Sequence, residues 1–576
     1  MKNWVMSMLV ARKLAVNFHL IFGCALTLWI SSASAQDSQI RKKLIESGWD
    51  APDSHRFSNF LPEIDGRPFD GAVLEIAGTD LKQRAVAMTW AFSSVPWQLE
   101  WFRSPVSRLQ FCKPRNVTDN FLMLTANPGD IDWFDDAGWS QIVQHWRIAA
   151  RVARESGMKG ILFDPEPYVP PHAQFTYAAQ NGHERHTFGE YCAQVRLRGR
   201  QIMEAIAAEN PQCVVFCYFL NSVAGQAAGQ PDAARVLETH SYGLLPAFLD
   251  GWLDVIPPGI TLVDGCEIAY GFRTPAEYYE AASAIRVDCQ SLVSPANRAK
   301  YRAQVQVSFG VYLDAYSEPP GFPAYIGGRG DGITRPGRMF ENLYAAIRVA
   351  DEYVWIRGEK HRWWPTPNRQ VEKTYWPEVI PGCDQLLQLA RRPVEESRAV
   401  LDRWAKDPRR VNLIKNGGFQ ADAPTTKPSS SGLPNSAPLN WGLWQAEESH
   451  GNYGLDRTEG RRSPGSARVE GMKKGCFTQI VSVQPGEAYV VAAAVRQAGQ
   501  GTASVRVRWY NADRKWTAES RDVTLSAAAS TDWQILSGVT QVPGPAQHMV
   551  LLLLVEGQET TKDIAWFDDV AVYRVE

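Results

Sequence analysis

Gly160-Ile161-Leu162-Phe163-Asp164-Pro165-Glu166-Pro167-Tyr168 reads as a buried strand that ends in two carboxylates. Side chains alternate along a strand, so Asp164 and Glu166 share a face with Leu162, while Ile161 and Phe163 point the other way. A run that is apolar through Phe163 and polar beyond it fits a parallel strand covered on both faces, with its C-terminal end opening on a site. The spacing predicts an acid/base pair at the mouth of a (β/α)8 barrel. The plainer alternative is a pair of solvated acids at a strand end.

The surrounding chain supports a barrel. From about residue 70 to 365, apolar runs alternate with helical periodicity. Strands are predicted at residues 71–77, at either 87–92 or 109–112, and at 121–125, 160–166, 214–220, 261–266, 305–313 and 353–357. Helices are predicted at 138–156, 187–209, 275–289 and 338–351. Eight strands with intervening helices favour a closed α/β barrel over an open doubly wound sheet, which would carry a Gly-rich phosphate turn after its first strand. In the seventh strand Val305, Val307, Phe309 and Val311 form the outward set, leaving Ser308, Tyr312 and Asp314 inward and upward. In the eighth, Trp355, Arg357 and Glu359 point to the mouth. Inward polar groups near strand ends belong to a site, because a barrel interior is otherwise packed.

The first 35 residues read as an export signal. Lys2, Arg12 and Lys13 precede an apolar run, and Ala33-Ser34-Ala35 offers small residues for cleavage before Gln36. The expected location is secreted or periplasmic, with no membrane span after cleavage. A formal charge of −2 argues against nucleic acid as a partner. The cysteines are irregularly spaced, so buried thiols are expected rather than disulfides or a zinc site. His183, His186 and His240 lack ligand spacing, and no metal is predicted in the barrel. Asp130, Asp132, Asp135 and Asp136 form an acidic turn, where Asp135 or Asp136 is expected to cap the next helix. Trp133 and Phe134 in that turn are placed as candidate linings of a sugar subsite.

Residues 384–406 read as a terminal helix, and the composition then changes. The expected division is residues 1–35 signal, 36–408 barrel and 409–576 an all-β sandwich of short alternating strands, with the Ser/Pro-rich stretch 421–438 as a loop inside it. Asn412-Leu413-Ile414-Lys415-Asn416-Gly417-Gly418-Phe419, Ser463-Pro464-Gly465-Ser466-Ala467-Arg468-Val469 and Trp566-Phe567-Asp568-Asp569-Val570-Ala571-Val572 resemble the start, middle and end of CenC-type carbohydrate-binding modules (families 4 and 9). The resemblance implies a jelly roll that binds polysaccharide through aromatics. Trp441, Trp444, Trp509, Tyr510 and Trp516 are the candidate platforms; core packing is the alternative for each. It also implies a structural calcium near Asp568 or Asp569, although Gln420 stands where these modules often have an acid.

The Gly160-x-x-x-Asp164-x-Glu166-x-Tyr168 pattern resembles the end of the family 18 (chitinase-type) glycoside hydrolase signature, in which the Glu donates the proton and the Asp assists. Lys159 and Leu162 occupy positions where that family has further acids, so the resemblance extends to barrel glycosidases and stops short of the family. Glycosidic cleavage needs a protonated acid and a second carboxylate. Glu166 is the candidate donor, with Asp164 beside it to favour the protonated form and hold it by hydrogen bonding. Glu267 is the candidate partner. Asn127, Tyr168, Asp264, Tyr270, Tyr312, Asp314, Trp355 and Glu359 are candidate substrate contacts around the mouth. The expectation is a glycosidase acting on a polysaccharide or oligosaccharide without a catalytic cofactor; the rival is a glycan-binding protein on a degenerate barrel.

Overall fold

The computed structural model describes residues 42–317, 333–420, 433 and 435–575 apart from 529. The expected export signal and most of the Ser/Pro-rich stretch lie outside the described residues.

One parallel sheet organises the first domain. Its path runs from Val305–Val307 through Thr261–Asp264, Val214–Cys217, Gly160–Asp164, Phe121–Pro128, Gly71–Leu74, Lys43–Gly48 and Tyr353–Gly358 to Gly310–Tyr312. The two ends are halves of one chain run, separated only by Ser308 and Phe309. The sheet therefore returns on itself, and the domain is barrel-like.

The first strand differs from the expected one. It is Lys43–Gly48, whose Lys43 and Glu46 break the apolar signal, although Glu46 is fully buried. Neither expected second strand holds that place. Trp90–Phe92 pairs with the third strand off the main path. Residues 109–111 end the helix Arg103–Phe111. Gly71–Leu74 thus becomes second, and Gly160–Asp164 remains fourth. Gly160 is required by close approach: a Cβ there would lie 1.9 Å from the Val214 carbonyl oxygen of the fifth strand.

Alternation sorts the side chains as expected. Phe163 faces outward, against Phe92, Trp146 and Trp252. Trp146 belongs to the helix Asp136–Glu155, capped by the Asp135 carboxylate, which accepts from the Gly138 N–H at 3.0 Å. Two further acids of that turn have protein partners: Asp132 accepts from the Phe134 N–H, and Asp136 pairs with Arg198. Trp133 is buried and Phe134 stacks on His186, so the turn is a helix entry and Trp133 does not line a sugar subsite. Inside the barrel, Phe121, Phe216 and Tyr353 fill the bottom with rings 5.5–5.7 Å apart.

The expected terminal helix is two, Cys383–Arg391 and Pro393–Trp404; Pro393 lacks the N–H that a continuous helix would need. Beyond them, two five-stranded antiparallel sheets enclose an apolar core as a β-sandwich. The strands Gly442–Gln445, Asn452–Asp456, Ser466–Glu470, Lys474–Ser482 and Val523–Ser526 add to those expected from sequence. Residues 412–419, expected as a short strand followed by a turn, keep the turn and lack the strand; they are tied on by the Leu413 N–H to the Val572 carbonyl. One sheet lies against the first domain, where Ala488, Val490 and Tyr573 join the barrel's apolar core and Arg398 donates to the Ile535 carbonyl. Among the described residues every cysteine is a free thiol, and no helix is long and apolar enough to cross a membrane.

Behind the barrel wall, Glu46 and Asp50 form a fully buried carboxyl pair. Burial and the Asp50 charge push the Glu46 carboxyl well up, and burial pushes Asp50 up too. A carboxyl raised by folding contributes stability at low pH and loses it as pH rises from its unfolded value towards its folded one. Glu46→Gln removes that loss. Chemical denaturation of the variant should show little change at pH 4 and a gain of about 1–2 kcal/mol at pH 8.

Candidate active site

Asp164 ends the fourth strand facing inward and is almost completely buried. Its Oδ1 accepts the Glu166 backbone N–H at 2.8 Å, and its Oδ2 accepts the Tyr168 hydroxyl at 2.8 Å. The same hydroxyl oxygen lies within hydrogen-bond distance of Glu166 Oε2, so its single proton serves one acid at a time. The turn after the strand therefore folds back so that one phenol joins both acids. Burial pushes the Asp164 carboxyl up to about 7, with the Glu166 charge adding to the effect.

Asn127 holds this turn from the end of the third strand. Its amide nitrogen donates to the Glu166 carbonyl at 2.8 Å, and its amide oxygen accepts the N–H of Tyr168 at 2.7 Å and of Val169 at 3.2 Å. Both groups of this buried side chain serve the protein backbone. Asn127 positions the acids from below.

Glu267 follows the sixth strand on the one-turn helix Glu267–Gly271. It is half-buried and near the pair: burial pushes its carboxyl well up, followed by the charges of Glu166 and Asp164, against an opposing hydrogen bond from Tyr270. Tyr270 stacks on Tyr312 at 4.8 Å, and the Tyr312 hydroxyl donates to Glu359 Oε2 at 3.1 Å. Arg357 places a cation among these acids. It lies 3.5 Å from Glu359 and donates to the Tyr218 hydroxyl at 3.1 Å, and its charge opposes the upward shifts at Asp164 and Glu267. The mouth thus brings together Asp164, Glu166, Tyr168, Glu267, Tyr270, Tyr312, Arg357 and Glu359.

Three expected contacts lie elsewhere. Asp264 is fully buried on the outward face of its strand, where its oxygens accept from the Ser222 N–H and hydroxyl and the Cys266 N–H. Asp314 accepts the N–H groups of Glu359 and Lys360, so it shapes the loop that presents Glu359. Trp355 lies flat on Tyr218 at 4.4 Å, fully buried, with its indole N–H on the Gly265 carbonyl; it is floor rather than wall.

Two mouth residues were not among the expected contacts. Tyr242 packs on Phe219, and its phenol is pushed up by burial and then by the charges of Glu166, Asp164 and Glu267. The polar-aromatic run His240-Ser241-Tyr242 was its only sequence signal. Ser47, hydrogen-bonded to the Tyr218 hydroxyl at 2.5 Å, went unread with its strand.

In the sandwich, Trp441 and Trp509 are core residues, with indole N–H groups on the Asn416 and Arg521 carbonyls. Trp444 is 50% exposed and Trp516 45% exposed. Trp444, Ile480, Arg508 and Tyr510 lie on the outward face of the sheet turned away from the barrel. Trp516 packs on Tyr510 with ring centroids 4.0 Å apart and planes tilted by 32°, beneath the Arg508 guanidinium at 4.2 Å. The expected calcium does not fit: Asp568 accepts from the Arg461 and Asp569 N–H groups, and Asp569 pairs with the Arg461 guanidinium at 2.7 Å where a cation would bind. Among the described residues no group of His, Cys, Asp and Glu has a metal-holding arrangement.

No family model and no curated protein matches the sequence. Solved structures with a partial likeness include glycoside hydrolases and carbohydrate-binding modules. A CBM4 module is 18% identical over 28% of this chain and 99% of its own, with a TM-score of 0.20. The CBM22-1–GH10 modules of Clostridium thermocellum Xyn10B are 14% identical over 23% of this chain and 26% of their own, with a TM-score of 0.19. The MgGH51 α-L-arabinofuranosidase is 12% identical over 28% and 26%, with a TM-score of 0.22. The chain spans about a quarter of the length of these two hydrolases.

Asn127→Ala removes three hydrogen bonds from the turn that carries Glu166. The variant should lose about 1–3 kcal/mol, and hydrogen exchange should quicken at residues 165–170 while the barrel strands keep their protection.

Proposed function

We propose that the chain is an exported glycoside hydrolase. Its residues 36–408 form a (β/α)8 barrel that hydrolyses O-glycosidic bonds of a polysaccharide or oligosaccharide, and residues 409–576 form a jelly-roll module that holds the glycan. The observation that carries the proposal is the convergence of Asp164, Glu166 and Glu267 at one end of a parallel barrel-like sheet, with Tyr168 joining two of them and Arg357 among them. Burial and mutual repulsion push Asp164 and Glu267 up, which favours a proton held within the cluster near neutral pH. Hydrolysis of an acetal needs that combination: a proton for the leaving oxygen and an ionised carboxylate for the oxocarbenium-like centre or the attacking water. Glu166, exposed towards the mouth, delivers the proton. Glu267 is the second carboxylate, as nucleophile or base. Tyr270, Tyr312, Glu359 and Tyr242 form the wall that sugar hydroxyls and ring faces meet. On the sandwich, the exposed Trp444 and the Tyr510–Trp516 pair are the platforms.

Release of reducing sugar across a polysaccharide panel tests this reading. Glu166→Gln and Glu267→Gln should each lower kcat by about 10²–10⁴-fold while leaving glycan affinity within about twofold. A wild-type protein that binds a glycan yet releases no sugar from any would establish the non-catalytic rival. Trp444→Ala should weaken retention on insoluble polysaccharide and leave turnover of a short soluble substrate unchanged.

A further inference from the structure

We infer that Tyr168 is a proton relay, carrying one proton between the buried Asp164 and the mouth-facing Glu166; its role in turnover rests on the hydrolase reading. The argument is a count of protons. Asp164 Oδ2, Tyr168 Oη and Glu166 Oε2 form a chain of three oxygens with the phenol in the middle. Two hydrogen bonds along such a chain need two protons, and a phenol supplies one. The second is a carboxyl proton. The arrangement is complete when Asp164 is protonated and donates to the phenol oxygen while the phenol donates to Glu166, or when both bonds run the other way. Moving between these states breaks the Asp164 O–H bond as a Tyr168 O–H bond forms, and breaks the original Tyr168 O–H bond as a Glu166 O–H bond forms. No other reactant is needed.

The surroundings bias the resting proton towards the buried end. Asp164 is enclosed, whereas Glu166 is half open to the mouth, and burial disfavours the charged form of a carboxyl. The groups acting on Asp164 are Glu166 and Tyr168 of its own turn, Arg357 of the eighth strand, and Tyr218 and Cys217 of the fifth; Tyr242 and Glu267 lie close to it as well. Of these only Arg357 is a cation, and Glu359 shares its charge at 3.5 Å. Asp164 therefore stores the proton, and Tyr168 passes it to Glu166 as Glu166 protonates the leaving oxygen. Tyr168 is 52% exposed as a residue, so its packing alone gives little reason for a tyrosine here. The hydroxyl does.

Infrared titration of the full-length protein labelled with 13C-aspartate tests the relay without any substrate. In wild type, a protonated aspartate carboxyl band should persist to about pH 7. Asp50 also holds a carboxyl raised by burial, so the Asp164 component is the part of the band missing from Asp164→Asn. In Tyr168→Phe, which removes the hydroxyl that holds this carboxyl down, that component should titrate at higher pH. In turnover, Tyr168→Phe should lower kcat about ten- to hundredfold with KM within about twofold, and the curved proton inventory of wild type should become linear. Asp164→Asn, whose amide can still donate to the phenol, should show the same linear inventory and lose the wild-type fall in activity above about pH 7. An aspartate band and proton inventory that are the same in Tyr168→Phe as in wild type would overturn the relay whatever Glu166→Gln does. A band that shifts as expected in a protein with no hydrolytic activity would support proton sharing and defeat only the hydrolase reading.

Discussion

The flat stack of Tyr218 on Trp355 divides the barrel into two environments. Below it, Phe121, Phe216 and Tyr353 fill a dry interior; above it stand the carboxyls and Arg357. The stack is polar on its upper edge only: the Tyr218 hydroxyl meets Ser47 and Arg357, while the Trp355 indole N–H is spent on a backbone carbonyl. Without this floor, Arg357 would lose its hydroxyl partner and Asp164 its dry side. The upward shift at Asp164 arises chiefly from that enclosure, with the charge of Glu166 second.

What the sequence disclosed follows the strength of each physical signal. The fourth strand was legible because five consecutive residues are buried on both faces and the polarity changes at one position. The first strand was not legible, because its burial includes Glu46 and its lysine mimics a surface residue. The order of the fourth strand came out right even so, since one missed strand offset one false one. Alternation placed Tyr312, Trp355 and Arg357 inward, as observed. It could not say how deep each sits, and so Trp355 was taken for wall when it is floor. Asp264 and Asp314 show the limit from another side. A carboxylate at a strand end looks the same in sequence whether it meets a ligand or the backbone N–H groups of its own loop, and these two meet the backbone.

The sandwich tryptophans carry a related lesson. Trp444 and Trp509 are chemically alike, and only strand register separates them: Trp444 shares the outward row with Cys476, whereas Trp509 pairs with Met549 on the inward one. Register depends on long-range pairing, which local composition does not encode.

The contact between the two domains has a consequence for how the chain can be divided. Ala488, Val490 and Tyr573 belong by sequence to the sandwich and by packing to the barrel's apolar core. A cut near residue 408 would expose apolar surface on both fragments, and each would be less soluble than the whole. The sandwich is thus unlike a module on a flexible tether, free to roam over a polymer. Glycan held on its outward sheet would be presented at a fixed distance and angle from the mouth, so that any reach between platform and mouth is set by the architecture rather than by diffusion of one part about the other.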